Sequence, residues 1–419
     1  MTALAGTLEQ RIESLSLPLA VVLPGGQRLG RADAAVTLRL NELSPLAHIA
    51  TGQIGQVAQD YVEGRVDFDG GMRELMTIAA EIMPGDPIDT GVARASLTWL
   101  QQLLQTTRSH VRHRLASDAR QIQFHYDVSD DFYALWLDPM RVYSCAYYRD
   151  AAMSLAEAQQ AKLEHICTKL MLREGERFLD IGAGWGGLLL WAAEHYGVRA
   201  RGITLSRNQH AHVNRLIEQK GLAGRVTMEL LDYRKLPENE PFDKIASIGM
   251  FEHVGRSQLP RYFAKIQRLL RPGGLVLNHG ITAGGTRNHQ LGSGLGEFIE
   301  RYIFPGGELM HVAHVLRQMG DARLEPLDVE SLRIHYAKTL WAWSDALEAQ
   351  LATARALTRD SVVRAYRLYL AGSAMSFERA WLSIYQMLAA RRTGDPADGP
   401  VRGAQSAYPF HRGYMYPPH

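Results

Sequence analysis

The sequence predicts an α/β catalytic domain, a mostly parallel sheet with helices on both faces, behind a small α+β N-terminal domain. Three observations carry this. From about residue 170, strand-like and helix-like segments alternate, the pattern of a doubly wound sheet. The first of those strands runs into Asp180-Ile181-Gly182-Ala183-Gly184-Trp185-Gly186-Gly187, a glycine-rich turn that opens a helix. Residues 1–95 show no such alternation. The boundaries read as an N-terminal domain at 1–95, a helical linker at 96–124, a catalytic domain at 125–392 and a loose tail at 393–419.

Taken in order, Leu19–Leu23 enters a turn at Pro24-Gly25-Gly26, and Val36–Leu40 alternates as a second strand. Ser44 and Pro45 read as N-cap and first residue of a helix that Gly52 closes. Asp69-Gly70-Gly71 precedes a helix through Met83, and Pro84-Gly85-Asp86-Pro87 marks a linker. Residues 88–120 read as helical. Within them Arg112, Arg114 and Arg120 with His110 and His113 form either a solvated helix face or a patch for anionic lipid headgroups. The alternation then gives strands at Arg177–Ile181, Ala200–Leu205, Val226–Leu231, Lys244–Gly249 and Leu275–Asn278. Helices fall at Leu188–His195, Asn208–Lys220 and Leu259–Leu270, the last stopped by Arg271-Pro272-Gly273-Gly274. Residues 311–390 read as mostly helical, and no internal repeat is present.

With 419 residues, 46% hydrophobic and 21% charged, the chain has ordinary globular composition, which excludes a fibrous or mostly disordered protein. The net charge of +2 argues neither for nucleic acid nor for a membrane by itself. No apolar run of about 18 residues spans a bilayer, and the N-terminus lacks a secretory pattern. Two cysteines, Cys145 and Cys167, build neither a disulfide framework nor a zinc site, and point to a reducing cytoplasm. His253, His311 and His314 lack the acid or thiol spacing that completes a metal site, so no metal is expected.

The glycine loop satisfies G-x-G-x-x-G through Gly182, Gly184 and Gly187, which raises a nicotinamide cofactor as one reading. That fingerprint wants an acid about 20 residues on, where this chain has Thr204-Leu205-Ser206. The acid sits instead on the first strand, as Asp180. Strand-Asp-x-Gly-x-Gly resembles the first motif of class I (Rossmann-like) S-adenosylmethionine-dependent methyltransferases, whose cofactor needs room for an adenosyl group and a partner for its ammonium.

Further strings narrow the resemblance. His125-Tyr126-Asp127 runs into Asp131-Phe132-Tyr133. Tyr143-Ser144-Cys145-Ala146-Tyr147, Thr204–Gln209, Gly249-Met250-Phe251-Glu252-His253-Val254-Gly255, Tyr302–Gly307 and His335–Leu340 follow in order. Together they resemble the cyclopropane-fatty-acyl-phospholipid synthases with their mycolic acid cyclopropane synthase relatives, and the first 95 residues resemble a lipid-carrier-like domain. The resemblance implies a cofactor site from Tyr143, Ser144, Asp180, Gly182, Gly184, Trp185, Gly186, Thr204, Ser206, Gln209, Asp232, Tyr233 and Arg234. Residue chemistry agrees: Gln209 can bond ribose hydroxyls, Tyr233 can lie against adenine and Asp232 can accept from its amine.

The resemblance also implies the reaction. The sulfonium methyl passes to a cis double bond of an unsaturated phospholipid acyl chain, and a bound bicarbonate deprotonates the carbocation so that the ring closes. Its holders here would be Cys145, Glu252, His279, the backbone of Ile281, and Tyr336, with aromatic faces from Phe298, Tyr302 and Phe304 along the acyl chain. Glu252 and His279 fall at the ends of two strands, where open parallel sheets bind ligands. Three other readings stay open: a C-methyltransferase leaving a branch or methylated alkene, a non-catalytic lipid-binding protein, and an NAD-dependent oxidoreductase. Expected partners are a phospholipid in the membrane, contacted peripherally from the cytoplasmic side, and a second copy in a homodimer, with no nucleic acid. Ser373 stands where many relatives carry a cysteine, and is expected to be structural rather than nucleophilic.

Overall fold

The computed structural model describes residues 2–83, 85, 87–88, 130–286, 291–304, 307–392, 409 and 411–416. The proposed basic group at Arg112, Arg114 and Arg120, the helical linker and His125-Tyr126-Asp127 lie outside them.

The N-terminal region holds helix α1 (Thr2–Glu13), strands β1 (Leu19–Val22), β2 (Arg28–Gly30) and β3 (Val36–Leu40), helices α2 (Ser44–Thr51) and α3 (Ile54–Val62), strand β4 (Val66–Gly70) and helix α4 (Met72–Ile82). The sheet order is β2-β1-β3-β4, with β1 and β3 parallel and the outer pairs antiparallel. Val36, Leu38 and Leu40 alternate into a core with Leu19, Val21 and Ile49. Gly52 closes α2 as expected, at φ +72° with its N–H on the last-turn carbonyls. Ser44 is not its cap: Leu43 holds that position without a side-chain bond, and the Ser44 hydroxyl donates to Glu42. The strand β4 was not expected, because Asp67 and Asp69 mask its alternation.

The second region contains α5 (Asp130–Ala134), α6 (Leu155–Lys169), β5 (Arg177–Ile181), α7 (Gly187–Tyr196), β6 (Arg199–Thr204), α8 (Arg207–Gln219), β7 (Val226–Leu230), β8 (Phe242–Ile248), α9 (Phe251–Val254), α10 (Leu259–Leu269) and β9 (Leu270–Ala283). It continues through α11 (Leu295–Tyr302), α12 (Val312–Asp321), β10 (Leu324–Ser331), α13 (Arg333–Glu348), α14 (Leu351–Leu357), α15 (Asp360–Glu378) and β11 (Leu382–Arg391). Seven strands pair in the order β10-β11-β9-β8-β5-β6-β7. The expected parallel core is present from β7 to β9, and β11 runs against both of its neighbours.

Residues 311–390 are mostly helical, as expected, but two of their segments are strands that complete the sheet. β11 reads Leu-Ser-Ile-Tyr-Gln-Met-Leu-Ala-Ala-Arg, rich in helix formers, and as an inner strand it is buried on both faces without period-2 alternation. In β10 a register shift between Pro326 and Asp328 breaks the pattern. Arg271-Pro272-Gly273-Gly274 ends α10 as expected, but within an extended β9. The described end of the tail is not loose: Met415 is buried and Arg412 pairs with Asp328 at 3.2 Å.

The two regions meet face to face. Arg364 on α15 donates to Tyr61 O (2.6 Å), Val66 O (2.8 Å) and Asp67 (2.6 Å), with its guanidinium 4.0 Å over the Tyr61 ring. Gly55 on α3 lies so close to Gly294 that an added Cβ would come within 2.0 Å of its backbone. Helices α3 and α4, with the start of β4, thus rest on α11 and α15.

Candidate active site

A cleft opens where β5, β6 and β8 end, between the glycine loop and the segment Arg141–Ser144. Such crevices arise because helices cross to opposite faces of the sheet on either side of β5. Gly182 and Gly184 take φ of +78° and +56°. A Cβ at Gly184 would meet no protein atom nearer than Gly182 O at 4.0 Å, so it would point into free cleft. Asp180 lies beneath. Its carboxyl is 2% exposed, Oδ1 has no hydrogen-bond partner, and burial pushes it up to about 7 against the pull of Lys162.

Lys162, which sequence reasoning missed, is buried on α6 and donates to Ser144 Oγ at 2.9 Å. Burial brings its ammonium down to about 8, partly offset by Cys145, Asp138 and Asp180. Opposite, the Thr204 hydroxyl donates to Gln209 Oε1 at 2.8 Å, leaving the amide NH2 of Gln209 to donate. Tyr143, Ser144, Trp185, Tyr233 and Arg234 also line the cleft. Asp232 lines it with its carboxylate held by Arg234, Nε at 2.9 Å and Nη2 at 2.6 Å, so it is less free to accept from adenine than its sequence suggests. Two expected cofactor residues stand behind the wall. Ser206 is the N-cap of α8, accepting from Gln209 N, and Gly186 turns the chain into α7 where a Cβ would strike Val213 at 2.9 Å.

One turn past the cleft lies a group of buried polar side chains. Glu252 on α9 accepts from Ile281 N at 2.6 Å through Oε1, while Oε2 has no partner among the described residues. Burial pushes this carboxyl up to about 7, with the Ile281 N–H opposing. The contact requires glycine at 280, since a Cβ there would sit 2.8 Å from Glu252 Oε1 and 2.2 Å from the Phe251 ring. His279, two residues along the same face of β9, is 1% exposed with neither ring nitrogen bonded. Burial first, then the charges of Lys162 and Lys169, hold its imidazole well below the usual value, hence neutral. Cys145 Sγ lies 3.8 Å from Leu332 O, which also accepts from Tyr336 N at 3.0 Å. Burial raises the Cys145 thiol, which makes it a poor nucleophile. Glu252 and Ile281 are thus in contact, His279 shares the β9 face of Ile281, and Cys145 and Tyr336 belong to the core cluster that Ile281 packs against.

The expected acyl-chain aromatics fare differently. Phe298 is buried, and Phe304 packs edge-on to Tyr369 and His253 at 5.6 and 5.8 Å. Tyr302 sends its hydroxyl to Glu63 of the N-terminal region at 2.9 Å, so its polar end serves the interface. The larger aromatic enclosure was missed: Tyr133, Trp136, Tyr143, Trp343 and Tyr366 pack with centroids 5.3–6.2 Å apart. Its sequence signal was present in Asp131-Phe132-Tyr133 and Trp341-Ala342-Trp343, but nothing local joined the two. His311 accepts from Ala313 N as the cap of α12, a structural place.

The profile of the family described as mycolic acid cyclopropane synthetase matches residues 113–387. A protein of Pseudomonas putida named probable fatty acid methyltransferase is 41% identical over 389 residues, 93% of this chain and 95% of its own length. Cyclopropane mycolic acid synthase MmaA2 of Mycobacterium tuberculosis is 37% identical over 279 residues, 64% of this chain and 96% of its own. Among solved structures, mycolic acid cyclopropane synthase CmaA1 complexed with SAH and CTAB superposes with a TM-score of 0.61 at 37% identity, over 65% of this chain and 98% of that one. Coclaurine N-methyltransferase, 18% identical with a TM-score of 0.61, shares the fold.

Proposed function

The chain belongs to the mycolic acid cyclopropane synthetase family and is a methyltransferase, and from that premise we propose that it methylates a cis double bond of an unsaturated phospholipid acyl chain and closes a cyclopropane ring. The carrying observation is the half-engaged carboxylate of Glu252, bonded on one oxygen to Ile281 N and open on the other, next to the cofactor cleft, with the unpartnered His279 two residues from Ile281 on the same strand.

The cleft fits S-adenosylmethionine: Asp180 has an unpartnered oxygen for an ammonium, Gln209 keeps its NH2 for the ribose, and Gly184 leaves the space open. When bound, that cofactor supplies an electrophilic methyl. An alkene is a weak nucleophile, so the protein must hold it close and exclude water. The aromatic enclosure does both, and ring faces such as Tyr143 stabilise a cation by their quadrupoles. Glu252 Oε2 is placed to accept the hydroxyl of a bicarbonate, while His279 and Tyr336 donate to its other oxygens. Buried polar groups of this kind need such a partner. The acyl substrate implies peripheral contact with the inner face of the membrane; among the described residues no helix is long and apolar enough to cross one. The lipid-carrier-like role of residues 1–95 and a homodimer complete the proposal.

The test is expression in cells rich in monounsaturated lipid, with gas chromatography of the acyl chains. Ring-bearing chains are expected. Methyl-branched or methylated unsaturated chains would replace ring closure with the second reading, which shares the methyl transfer. Unaltered acyl chains would overturn both.

A further inference from the structure

Helix α6 carries Gln159, Lys162, His165 and Lys169, spaced three, three and four apart, on one face. All four are buried. A polar stripe with this periodicity ordinarily faces water; here it faces the sheet. Across from it, adjacent strands present Glu330 on β10, Gln386 on β11 and His279 on β9, directly opposite one another in register. Residues opposite across a ladder project from the same face with Cβ atoms about 5 Å apart.

The outer half of this polar layer is satisfied. Glu330 accepts from Lys169 at 2.5 Å, lies 2.7 Å from His165 Nε2, and is held down at about 2 against the effect of burial by those two partners. Lys169 also lies 3.1 Å from Asp328. The inner half is not satisfied. Gln386 is 0% exposed, and neither its Oε1 nor its Nε2 has a partner among the described residues. Its cross-strand neighbour His279 has both ring nitrogens in the same condition. Buried amides are nearly always bonded, and an apolar side chain of equal size would fill the place at lower cost.

We infer that Gln386 is a positioning residue for His279: the two are cross-strand neighbours with open donors and acceptors, not bonded to each other in this structure, and when the small anion beside Glu252 is bound the amide holds the imidazole toward it. The inference rests on the base-pocket reading above. It adds a residue about 50 positions beyond Tyr336, the last of the bicarbonate holders the resemblance implies, on a strand that sequence periodicity does not reveal. Gln386 does not touch the reacting carbon; it acts through the imidazole, whose ring would otherwise be free to turn.

The test compares full-length wild type with Gln386→Met, which conserves volume and removes the amide, with Gln386→Leu as the second variant should the first not fold. Two readouts are taken: turnover with S-adenosylmethionine and unsaturated phospholipid vesicles, and the 15N signals of the His279 ring in histidine-labelled protein, assigned through His279→Gln. Turnover should fall about 10²-fold, the loss typical of misplacing a reacting geometry. Affinity for S-adenosylhomocysteine should stay within about twofold, and the His279 signals should move. Unchanged turnover, or unmoved His279 signals, overturns the inference. The ring signals are read without substrate, so they decide the matter even if wild type alters no acyl chain, an outcome that defeats the proposed function instead.

Discussion

The cofactor cleft and the base pocket lie side by side at the carboxyl end of one sheet and are built in opposite ways. The cleft is made of short contiguous strings, Tyr143-Ser144, Asp180–Gly187, Thr204–Gln209 and Asp232–Arg234, and it is open. The pocket's residues are single ones drawn from 145 to 336, and the side chains of Cys145, Glu252, His279 and Tyr336 are buried. Each half holds one buried carboxyl pushed up to about 7 by the same cause, loss of water. Asp180 has a lysine ammonium to oppose that push, whereas Glu252 has only backbone N–H groups, that of Ile281 first and then its own. A binding carboxylate can borrow charge from its surroundings and from its ligand. A group poised for proton transfer is more useful near neutrality, where both its forms are accessible.

Removing the space in the open half should have the largest effect. Gly184→Val places a branched side chain in the cleft at φ +56°, and should abolish S-adenosylmethionine binding by calorimetry. Wild-type affinity in a folded variant would show that the cleft serves another ligand. The buried half should respond in rate rather than binding. Glu252→Gln should slow turnover by on the order of 10²–10⁴ while cofactor affinity survives, and added bicarbonate should restore part of the loss.

A pH series sharpens the comparison. Both carboxyls have folded values raised above their unfolded ones, so their contribution to stability is complete below the ordinary carboxylate range and is lost as pH rises through about 7. The cofactor-free protein should therefore lose stability to denaturant between about pH 5 and 7 from this source, and Glu252→Gln should flatten part of that decline. Activity should run the other way, because only the ionised Glu252 accepts the hydroxyl of the bicarbonate base on its open oxygen: kcat/KM should rise through about pH 7 and lose that limb in the variant. A rise identical in the two proteins would move the essential titration elsewhere. The smallest effect is expected at Ser373, half-buried in α15. Ser373→Ala should keep most activity and cost at most about 1 kcal/mol by thermal melting. Near-complete loss of turnover in a folded, cofactor-binding protein would restore a nucleophilic role.

What was legible follows the same division. Arg177–Ile181 was bounded correctly because an apolar run meets a glycine turn, and Gly52 marked the end of α2 because only a residue tolerant of positive φ closes a helix that way. Ser206 and Gly186 were placed in the right loops but with a ligand's role, because a cap and a contact look alike in sequence. Lys162 lay in a stretch with no motif to single it out, and Gln386 lay in a segment read as mostly helical. Their burial comes from the sheet that α6 covers and the strands that flank β11.

The sequence by itself determined the sheet's parallel half, the glycine loop and the acid beneath it, because those depend on backbone conformations that particular residues allow or forbid within a few positions. Only the tertiary structure decided that β10 and β11 close the sheet, that Tyr302 turns its hydroxyl to Glu63, and that Glu252, His279 and Gln386 stand dehydrated together. Burial is a property of everything packed around a group, and packing joins residues that the chain keeps more than a hundred positions apart.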